Sequence, residues 1–515
     1  MSVQRLNRVL VTLAALAGLW LVWAGPAPSP AQARDLSGIL AQFETHARQT
    51  MDEEGIPGMA VAIVYNDQVV YLKGFGVLAK GGTAAVDPDT IFQIGSTSKA
   101  FTSALVAMMV DEGKFAWSDR VIDHLSDFRL YDSWVNREFQ VGDLMSQHSG
   151  LPAYALTLAP ILGYPTSLVL DSMRLVAPVT SFRAEFAYQN CLFETAAALV
   201  EKYTSLSFPD ALQRRIFEPL GMTRSTGRYS ELAGFNNVSS MHLRWGGQVV
   251  ELPADSPLRG WTNNLIAAGG VNSCARDMAQ WVRLQLSGGL WEGRQLITTD
   301  NLDYLHNPHT IISTTSSKHL YYAQGWICQL LSYPQPYIWH NGDTNYCHSL
   351  VGLVPAENLG IAILCNLGKT RVPDNLAAYF LDLYFGTSTE TAQADLEDSL
   401  ALDTGWSRHL PSTPPLPLQA KATQDLSVYA GVYRHPALGD LKISVAGDKL
   451  IMTCGPKDTP IELTPWSGDT FSVRVPYLVE DGGLAYFLMD TNKRAGTLII
   501  PLFTYEGGQE ATRVE

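Results

Sequence analysis

Two segments patterned like β-hairpins lie far apart in this chain, and they constrain its fold most. Residues 59–78 form two β-rich runs around an Asn-Asp turn, and residues 348–368 form two more around a proline-containing turn. Residues 120–310 carry mainly helical patterns broken by Gly/Pro loops, and residues 374–386 form another helical run. We therefore expect an α/β fold of the α+β type, with an antiparallel sheet flanked by helices and a mainly helical insert.

The last part of the chain has a different pattern. Residues 387–424 are polar and then proline-rich, which is typical of a linker. From residue 425 to 515, short strand-like runs alternate with turn signals about every eight to twelve residues. We therefore predict a main domain over 38–386, a linker over 387–424 and a small all-β barrel domain over 425–515.

The N-terminus has the layout of a secretory signal. Arg5 and Arg8 precede an apolar stretch from Val9 to Ala24, and Ala31-Gln32-Ala33 offers small residues for cleavage. We expect residues 1–33 to be a signal peptide and the mature protein to be secreted or periplasmic. An uncleaved N-terminal anchor is the alternative, because the apolar stretch is only slightly short for a membrane span.

The net charge and the cysteine spacing indicate which ligands and partners the protein is not expected to bind. The net charge is −14 and there is no sizeable basic run, which disfavours nucleic acid and anionic membrane surfaces. The six cysteines lack metal-type spacing, and we predict neither a metal nor a cofactor. In an oxidising compartment some cysteines could pair, and Cys328 with Cys347 is one candidate. A small molecule or a peptide is the expected substrate.

Ser96 and Lys99, in "QIGSTSKAFT", are the first candidates for catalysis. The apolar spacing after them places Lys99 in the first turn of a helix, where the helix dipole disfavours a cation. Residues three apart share a helix face, so hydroxyl and amine can meet, and burial would shift the amine towards its proton-accepting form. That pairing would activate the serine. The alternative is that Ser96 only caps the helix while Lys99 extends to water.

Two later motifs offer the other groups that acyl transfer needs. Tyr188 and Asn190 form the single Tyr-x-Asn in the chain: the phenol could move a proton, and the amide could hold both a substrate amide and Lys99. His340 opens "HNGDTNY", in which Gly342 permits close backbone approach at a strand edge. Each motif alone is weak, and an ordinary loop would account for either. Their order along the chain favours a catalytic set.

In this order the three motifs resemble those of the class C β-lactamase group of serine hydrolases, which includes D-aminopeptidases, D-Ala-D-Ala carboxypeptidases and esterases, and those of penicillin-binding proteins. Supporting stretches are "IPGMAVAIVYNDQVVYLKGFG", "LMSQHSGLP", "FEPLGMTRST" and "AAGGVNSCARDMAQW". The resemblance covers about residues 38–386 and implies a β-lactamase/transpeptidase-like fold. The tail resembles the small β domain appended to self-compartmentalising peptidases of the group.

The resemblance also implies roles for the candidate residues. Ser96 would be the acylated nucleophile, Lys99 and Tyr188 the proton-handling pair, and Asn190 a positioning residue for the substrate. The oxyanion would be bound by the backbone N–H groups of Ser96 and Asp343. The aliphatic segment just before Tyr188, which begins "YALTLAPILGYP", is expected to form one wall of the cleft.

Three positions near the third motif bear on substrate choice. His340 stands where β-lactamases usually carry a lysine, and a neutral histidine pairs poorly with a β-lactam carboxylate, so efficient antibiotic hydrolysis is not expected. Gly342 would line the strand edge and bind substrate. Asp343 replaces a small residue, and its carboxylate is expected to repel anionic substrates and favour a free amine. An Asp343 side chain that faced solvent would have no such effect.

Three interpretations of the function follow. The first is a secreted serine hydrolase that cleaves amide or ester bonds, with peptides or D-amino-acid compounds ahead of esters and β-lactams. The second is a penicillin-recognising sensor or pseudoenzyme that is acylated without turnover. In the third, the β domain is an assembly or wall-binding module, and a homo-oligomer forms through it.

Overall fold

The structure is a computed structural model, and it describes residues 34–316, 318–387 and 421–514. The predicted signal peptide lies outside the described residues, as does most of the predicted linker. From residue 39 onward, the described residues form one compact unit. Across the described ranges, no helix is both long and apolar enough to cross a membrane.

Along the sequence of the main domain, the long strands lie towards the two ends and most helices lie between them. The α-helices are α1 (Ser37–Glu54), α2 (Ser98–Asp111), α3 (Val121–His124), α4 (Ser133–Glu138), α5 (Leu158–Ile161), α6 (Thr166–Ser172), α7 (Cys191–Thr204), α8 (Phe208–Leu212), α9 (Glu218–Leu220), α10 (Ile266–Gly269), α11 (Ala275–Leu286), α12 (Thr299–His306) and α13 (Val372–Phe385). The strands of the main domain are β1 (Gly58–Tyr65), β2 (Gln68–Gly76), β3 (Phe92–Gln93), β4 (His242–Trp245), β5 (Gln248–Glu251), β6 (Asn272–Ser273), β7 (Leu290–Trp291), β8 (Arg294–Gln295), β9 (Thr310–Thr314), β10 (His319–Tyr322), β11 (Ile327–Leu330), β12 (Tyr337–Asp343), β13 (His348–Val354) and β14 (Leu359–Cys365). The strands of the C-terminal domain are β15 (Gly431–His435), β16 (Gly439–Ala446), β17 (Lys449–Cys454), β18 (Thr459–Ser467), β19 (Thr470–Arg474), β20 (Leu484–Met489), β21 (Ala495–Ile499) and β22 (Glu510–Arg513).

One antiparallel sheet of eight strands organises the main domain, in the order β2-β1-β14-β13-β12-β11-β10-β9. Both predicted hairpins form: β1 and β2 are joined at Asn66 and Asp67, which have φ of 49° and 61°, and β13 pairs with β14. Positive φ at both central residues suits the twist of a two-residue hairpin. Strand β1 of one hairpin pairs with β14 of the other, so the two distant segments join as the first four strands at one side of the sheet.

Helices cover both faces of this sheet, which is why several of its inner strands have a continuous apolar sequence. Every residue of β1, β13 and β14 is buried. Helix α11 packs on β1 and β14, and α13 packs on β13 and β14. Helix α2 lies in the core, where Phe101 stacks on Trp281 of α11 with ring centres 4.0 Å apart. This arrangement confirms the predicted sheet flanked by helices.

The C-terminal strands β15 to β22 close into an eight-stranded barrel, as the turn spacing predicts. Aromatic rings pack inside it, with centre distances of 5.0 Å between Tyr429 and Phe471 and 5.3 Å between Phe471 and Phe487. All six cysteines are buried and free, so the candidate pair of Cys328 and Cys347 is not formed.

Candidate active site

The candidate nucleophile lies at the start of a buried helix. Gly95–Thr97 form a single 3-10 turn that leads directly into α2, with Thr97 as its N-cap residue. Gly95 has φ +52°, a left-handed conformation that glycine adopts without strain. Lys99 therefore lies in the first turn of α2 and is completely buried, whereas Ser96 lines an open cleft.

Within the part of the chain that the structure describes, Lys99 Nζ lies within hydrogen-bond distance of the following oxygen atoms. Its Nζ is 3.0 Å from Ser96 Oγ, 2.7 Å from Asn190 Oδ1 and 2.8 Å from Ala268 O. Burial lowers the pKa of Lys99 well below its ordinary value, against an opposing influence from Glu194. In the neutral amine, two N–H groups donate to the amide and carbonyl oxygens, which can only accept, and the lone pair is left for the serine hydroxyl. The geometry therefore suits a general base acting on Ser96.

A glutamate that sequence reasoning missed lies close to Lys99. Glu194, in the first turn of α7, accepts a hydrogen bond from Ala268 N at 3.1 Å, while Ala268 O accepts from Lys99. Burial raises the pKa of Glu194 to about 8, although backbone hydrogen bonds and Lys99 oppose the shift. A carboxyl group inside the apolar run "CLFETAAALV" is the signal that could have identified it, since such groups are rarely buried without a partner.

The second motif lies beside Lys99, directly before α7. Asn190 Oδ1 accepts from Lys99, and its Nδ2 donates to Thr157 Oγ1 at 3.1 Å, so both ends of the amide are fixed. The Tyr188 ring centre is 4.7 Å from Lys99 Nζ and 6.2 Å from the imidazole of His340. The fold thus brings all three motifs together, and Thr157 adds a polar group that the sequence did not reveal.

His340 is buried on β12 and is neutral. Burial, with a smaller contribution from Lys99, lowers the pKa of His340 to about 3. Its Nδ1–H donates to the Asn341 carbonyl at 2.5 Å, because a carbonyl can only accept. Its Nε2 therefore accepts from the Tyr322 hydroxyl at 3.0 Å. His340 presents no positive charge, which is the physical basis for expecting weak pairing with a β-lactam carboxylate.

The strand edge and the nucleophile turn approach each other at two glycines. A Cβ on Gly342 would lie 2.0 Å from Ile94 O and 2.7 Å from Ser96 N. A Cβ on Gly95 would lie 2.7 Å from Asp343 N. Only glycine permits backbones this close. The N–H groups of Ser96 and Asp343 therefore come from adjacent segments, as the two donors of an oxyanion hole must.

The Asp343 carboxylate is shielded by a buried histidine. It accepts hydrogen bonds from His348 Nδ1 at 3.0 Å and from the backbone N–H groups of Asn345 and Lys369 at 2.6 and 2.5 Å. His348 Nε2 lies 2.8 Å from Asp374 Oδ2. Burial alone would lower the pKa of His348, but the two carboxylates raise it well above its ordinary value. The resulting imidazolium is shared by Asp343 and Asp374, so the three groups together keep a net charge of −1. With the two backbone N–H groups, it weakens the repulsion that the Asp343 carboxylate is expected to exert on anionic substrates.

These groups open on a cleft of about 280 Å³. Much of its lining is aromatic or aliphatic: Tyr154, Ile161, Trp261, Leu265, Tyr322 and Ile327. Two of these side chains, with Thr157, come from the segment that the sequence predicts as a cleft wall. Two cationic residues, Lys369 and Arg371, also line the cleft. Among the residues that the structure describes, no group of three or more His, Cys, Asp or Glu side chains could hold a metal ion.

Comparison with known proteins relates both parts of the chain to described families. The Beta-lactamase family model matches residues 43–384, and a domain of unknown function, DUF3471, matches residues 416–513. Unguisins hydrolase of Aspergillus campestris is 27% identical over 479 residues, which cover 84% of each protein. Protein flp of Staphylococcus aureus is 22% identical over 341 residues, which cover 64% of each protein.

A solved structure shows the same fold. The octameric penicillin-binding protein homologue from Pyrococcus abyssi has a TM-score of 0.61 and 20% identity, over 89% of this chain and 97% of that one. The family match itself spans 43–384, which is more than half of the chain. The chain therefore belongs to the Beta-lactamase family, whose members are serine hydrolases.

Proposed function

We propose that this protein cleaves amide or ester bonds through an acyl-enzyme on Ser96. The position of Lys99 carries the proposal: its buried amine faces Ser96 Oγ at 3.0 Å, and its other neighbours, Asn190 Oδ1 and Ala268 O, are fixed acceptors. Burying an amine in this way costs stability, and a lysine with only a structural role would extend to water. A strongly shifted amine beside a cleft serine is the pattern of an activated nucleophile.

The proposed reaction has two steps. In the first, Ser96 Oγ bonds to the substrate carbonyl carbon while its proton passes to Lys99 Nζ. The N–H groups of Ser96 and Asp343 stabilise the oxyanion. Tyr188 relays a proton to the leaving amine or alcohol as the C–N or C–O bond breaks. In the second step, water attacks the ester on Ser96, the carboxylic acid product leaves, and a proton returns to Oγ.

Peptides or D-amino-acid compounds are the substrates we infer first, and esters come next. The resemblance to D-aminopeptidases and carboxypeptidases supports this order, and the similarity to a protein named as a hydrolase of unguisins supports hydrolysis as the reaction. The aromatic and aliphatic lining suits apolar side chains. β-lactams rank last because His340 is neutral. His348 and two backbone N–H groups engage the Asp343 carboxylate, so we do not propose a preference for free amines.

Intact-mass spectrometry after treatment with a fluorophosphonate tests the nucleophile. We expect one adduct on the wild type, one on the exposed-serine control Ser126→Ala, and none on Ser96→Ala. A folded wild-type protein without an adduct would contradict the proposal.

Substrate panels then test turnover. The panel contains D-aminoacyl anilides, aryl esters and a penicillin. We expect steady-state hydrolysis of at least the amides or the esters. A stoichiometric burst with no later turnover on any compound would contradict a hydrolase and support an acylated sensor.

A further inference from the structure

The C-terminal barrel reaches the wall of the catalytic cleft through one carboxyl group. Glu506, in the loop before β22, is only 2% exposed. Its two oxygens accept hydrogen bonds from the backbone N–H groups of Leu158 and Ala159 at 3.1 and 3.2 Å. The carbonyl of Tyr505 accepts from Leu156 N at 3.0 Å. Two consecutive barrel residues therefore bind three backbone N–H groups of the main domain.

The segment that they bind, residues 154–159, is here called the wall segment. Its backbone is strained: Tyr154 has φ +61° and Leu156 has φ +58°. Residues other than glycine rarely adopt this left-handed region, and they remain there only where the surrounding structure holds them. The contacts from Tyr505 and Glu506 act at and just beyond these two positions, so the barrel supports the strained turn.

The wall segment in turn contacts Tyr188 and Asn190. Tyr154 N donates to the backbone carbonyl of Tyr188 at 2.7 Å. Thr157 Oγ1 accepts from Asn190 Nδ2 at 3.1 Å, and Asn190 Oδ1 accepts from Lys99 at 2.7 Å. A continuous series of hydrogen bonds and short backbone steps therefore joins the barrel carboxyl group to the proposed general base.

We propose that Glu506 is a positioning residue of the active site, which fixes the wall segment so that Thr157 holds Asn190 against Lys99. The inference rests on the acyl-enzyme chemistry proposed above and extends the active site to the C-terminal domain. The barrel is then part of the catalytic unit. It is not simply a separable module for assembly or binding.

Another barrel glutamate supplies a matched control. Glu480 also accepts a backbone hydrogen bond from the main domain, from Gly246 N at 2.8 Å. That contact is exposed and lies at the turn between β4 and β5, outside the wall segment. Glu480→Gln therefore alters a contact between barrel and main domain without altering the support of the cleft.

The test is the rate of fluorophosphonate labelling of Ser96 in the full chain, resolved into the rate constant kinact and the inhibition constant KI. Burial raises the pKa of Glu506 to about 8, so labelling is measured at pH 9, where the carboxylate has two acceptor oxygens. Glu506→Gln then preserves size but replaces one acceptor oxygen by a donor. We expect its kinact to fall about tenfold with KI within twofold, because the nucleophile's partners move while probe binding does not. Glu480→Gln should leave both constants within twofold. A Glu506→Gln protein, shown by thermal unfolding to be folded, that labels at the wild-type rate would overturn the proposal.

A second variant tests the same path without changing the barrel. Thr157→Val removes the hydroxyl that contacts Asn190, and we expect a similar fall in kinact. The double variant with Glu506→Gln should label no more than about twofold more slowly than the slower single variant, because both changes break one path. An unchanged kinact for Thr157→Val, or fully multiplicative effects, would overturn the inference. A wild type that is not labelled at all would instead overturn the proposed function.

Discussion

Replacing Gly342 by alanine should impair catalysis while the protein still folds, because folded proteins are stable by about 5–15 kcal/mol. The new Cβ would lie 2.0 Å from Ile94 O and 2.7 Å from Ser96 N, and both are backbone atoms. Real Cβ contacts essentially never fall under 3.0 Å, so strand β12 and the nucleophile turn must separate by about 1 Å. A displacement of that size between reacting groups lowers a rate by about 10²-fold. Overpacking of this kind lowers the free energy of unfolding by about 1–3 kcal/mol.

Two measurements on the same samples check this expectation. Fluorophosphonate labelling gives kinact for Ser96, and urea denaturation gives the free energy of unfolding. Gly234→Ala is the control, because a Cβ there meets no atom within 4 Å. A Gly342→Ala protein that labels within threefold of the wild type would refute the reasoning that close approach of these backbones builds the oxyanion site.

Three further predictions concern buried titratable groups. Lys99→Met should lower kinact about 10²–10⁴-fold through loss of the general base. Since burial lowers the pKa of Lys99, the folded wild type releases a proton that the unfolded chain retains, which costs stability. Lys99→Met removes this cost, so its free energy of unfolding in urea should exceed that of the wild type by an amount that shrinks as pH rises. For Glu194 the pH dependence of stability has the opposite sign. Burial raises its pKa from an ordinary 4.5 to about 8, so its contribution to the free energy of unfolding falls as pH rises between these values. Between pH 5.5 and 7.5 the free energy of unfolding of the wild type should fall by up to about 3 kcal/mol relative to that of Glu194→Gln. The same pH dependence of stability in both proteins would contradict this. His348→Gln should lower the free energy of unfolding by about 3–5 kcal/mol at pH 6, where the raised pKa of His348 keeps the wild type charged, because two carboxylates lose their shared imidazolium. A loss under about 1 kcal/mol in the same urea assay would show that the bridge is not needed.

Local patterns in the sequence determined the framework of the protein. The β-hairpins follow from runs of apolar and β-branched residues around turn residues, and the placement of Lys99 in the first turn of α2 follows from helical spacing. Each of these signals acts over a few residues, so it is readable without the fold. The order of the three motifs then pointed to one catalytic set, and the structure places Ser96, Lys99, Tyr188 and Asn190 around one cleft.

Only the tertiary structure decided how the site is tuned. The apolar run around Glu194 indicates burial but not its partner, Ala268, which is distant in the chain. His348 and Glu506 carry no local signal of their roles, because their partners Asp374 and Leu158 are distant too. The same holds for the free cysteines and for the hydrogen bonds to the Asp343 carboxylate, since both depend on which groups the fold brings near these side chains. The physical reason is that burial sets the charge and the hydrogen-bond options of a polar side chain, and burial is a property of the packed chain as a whole.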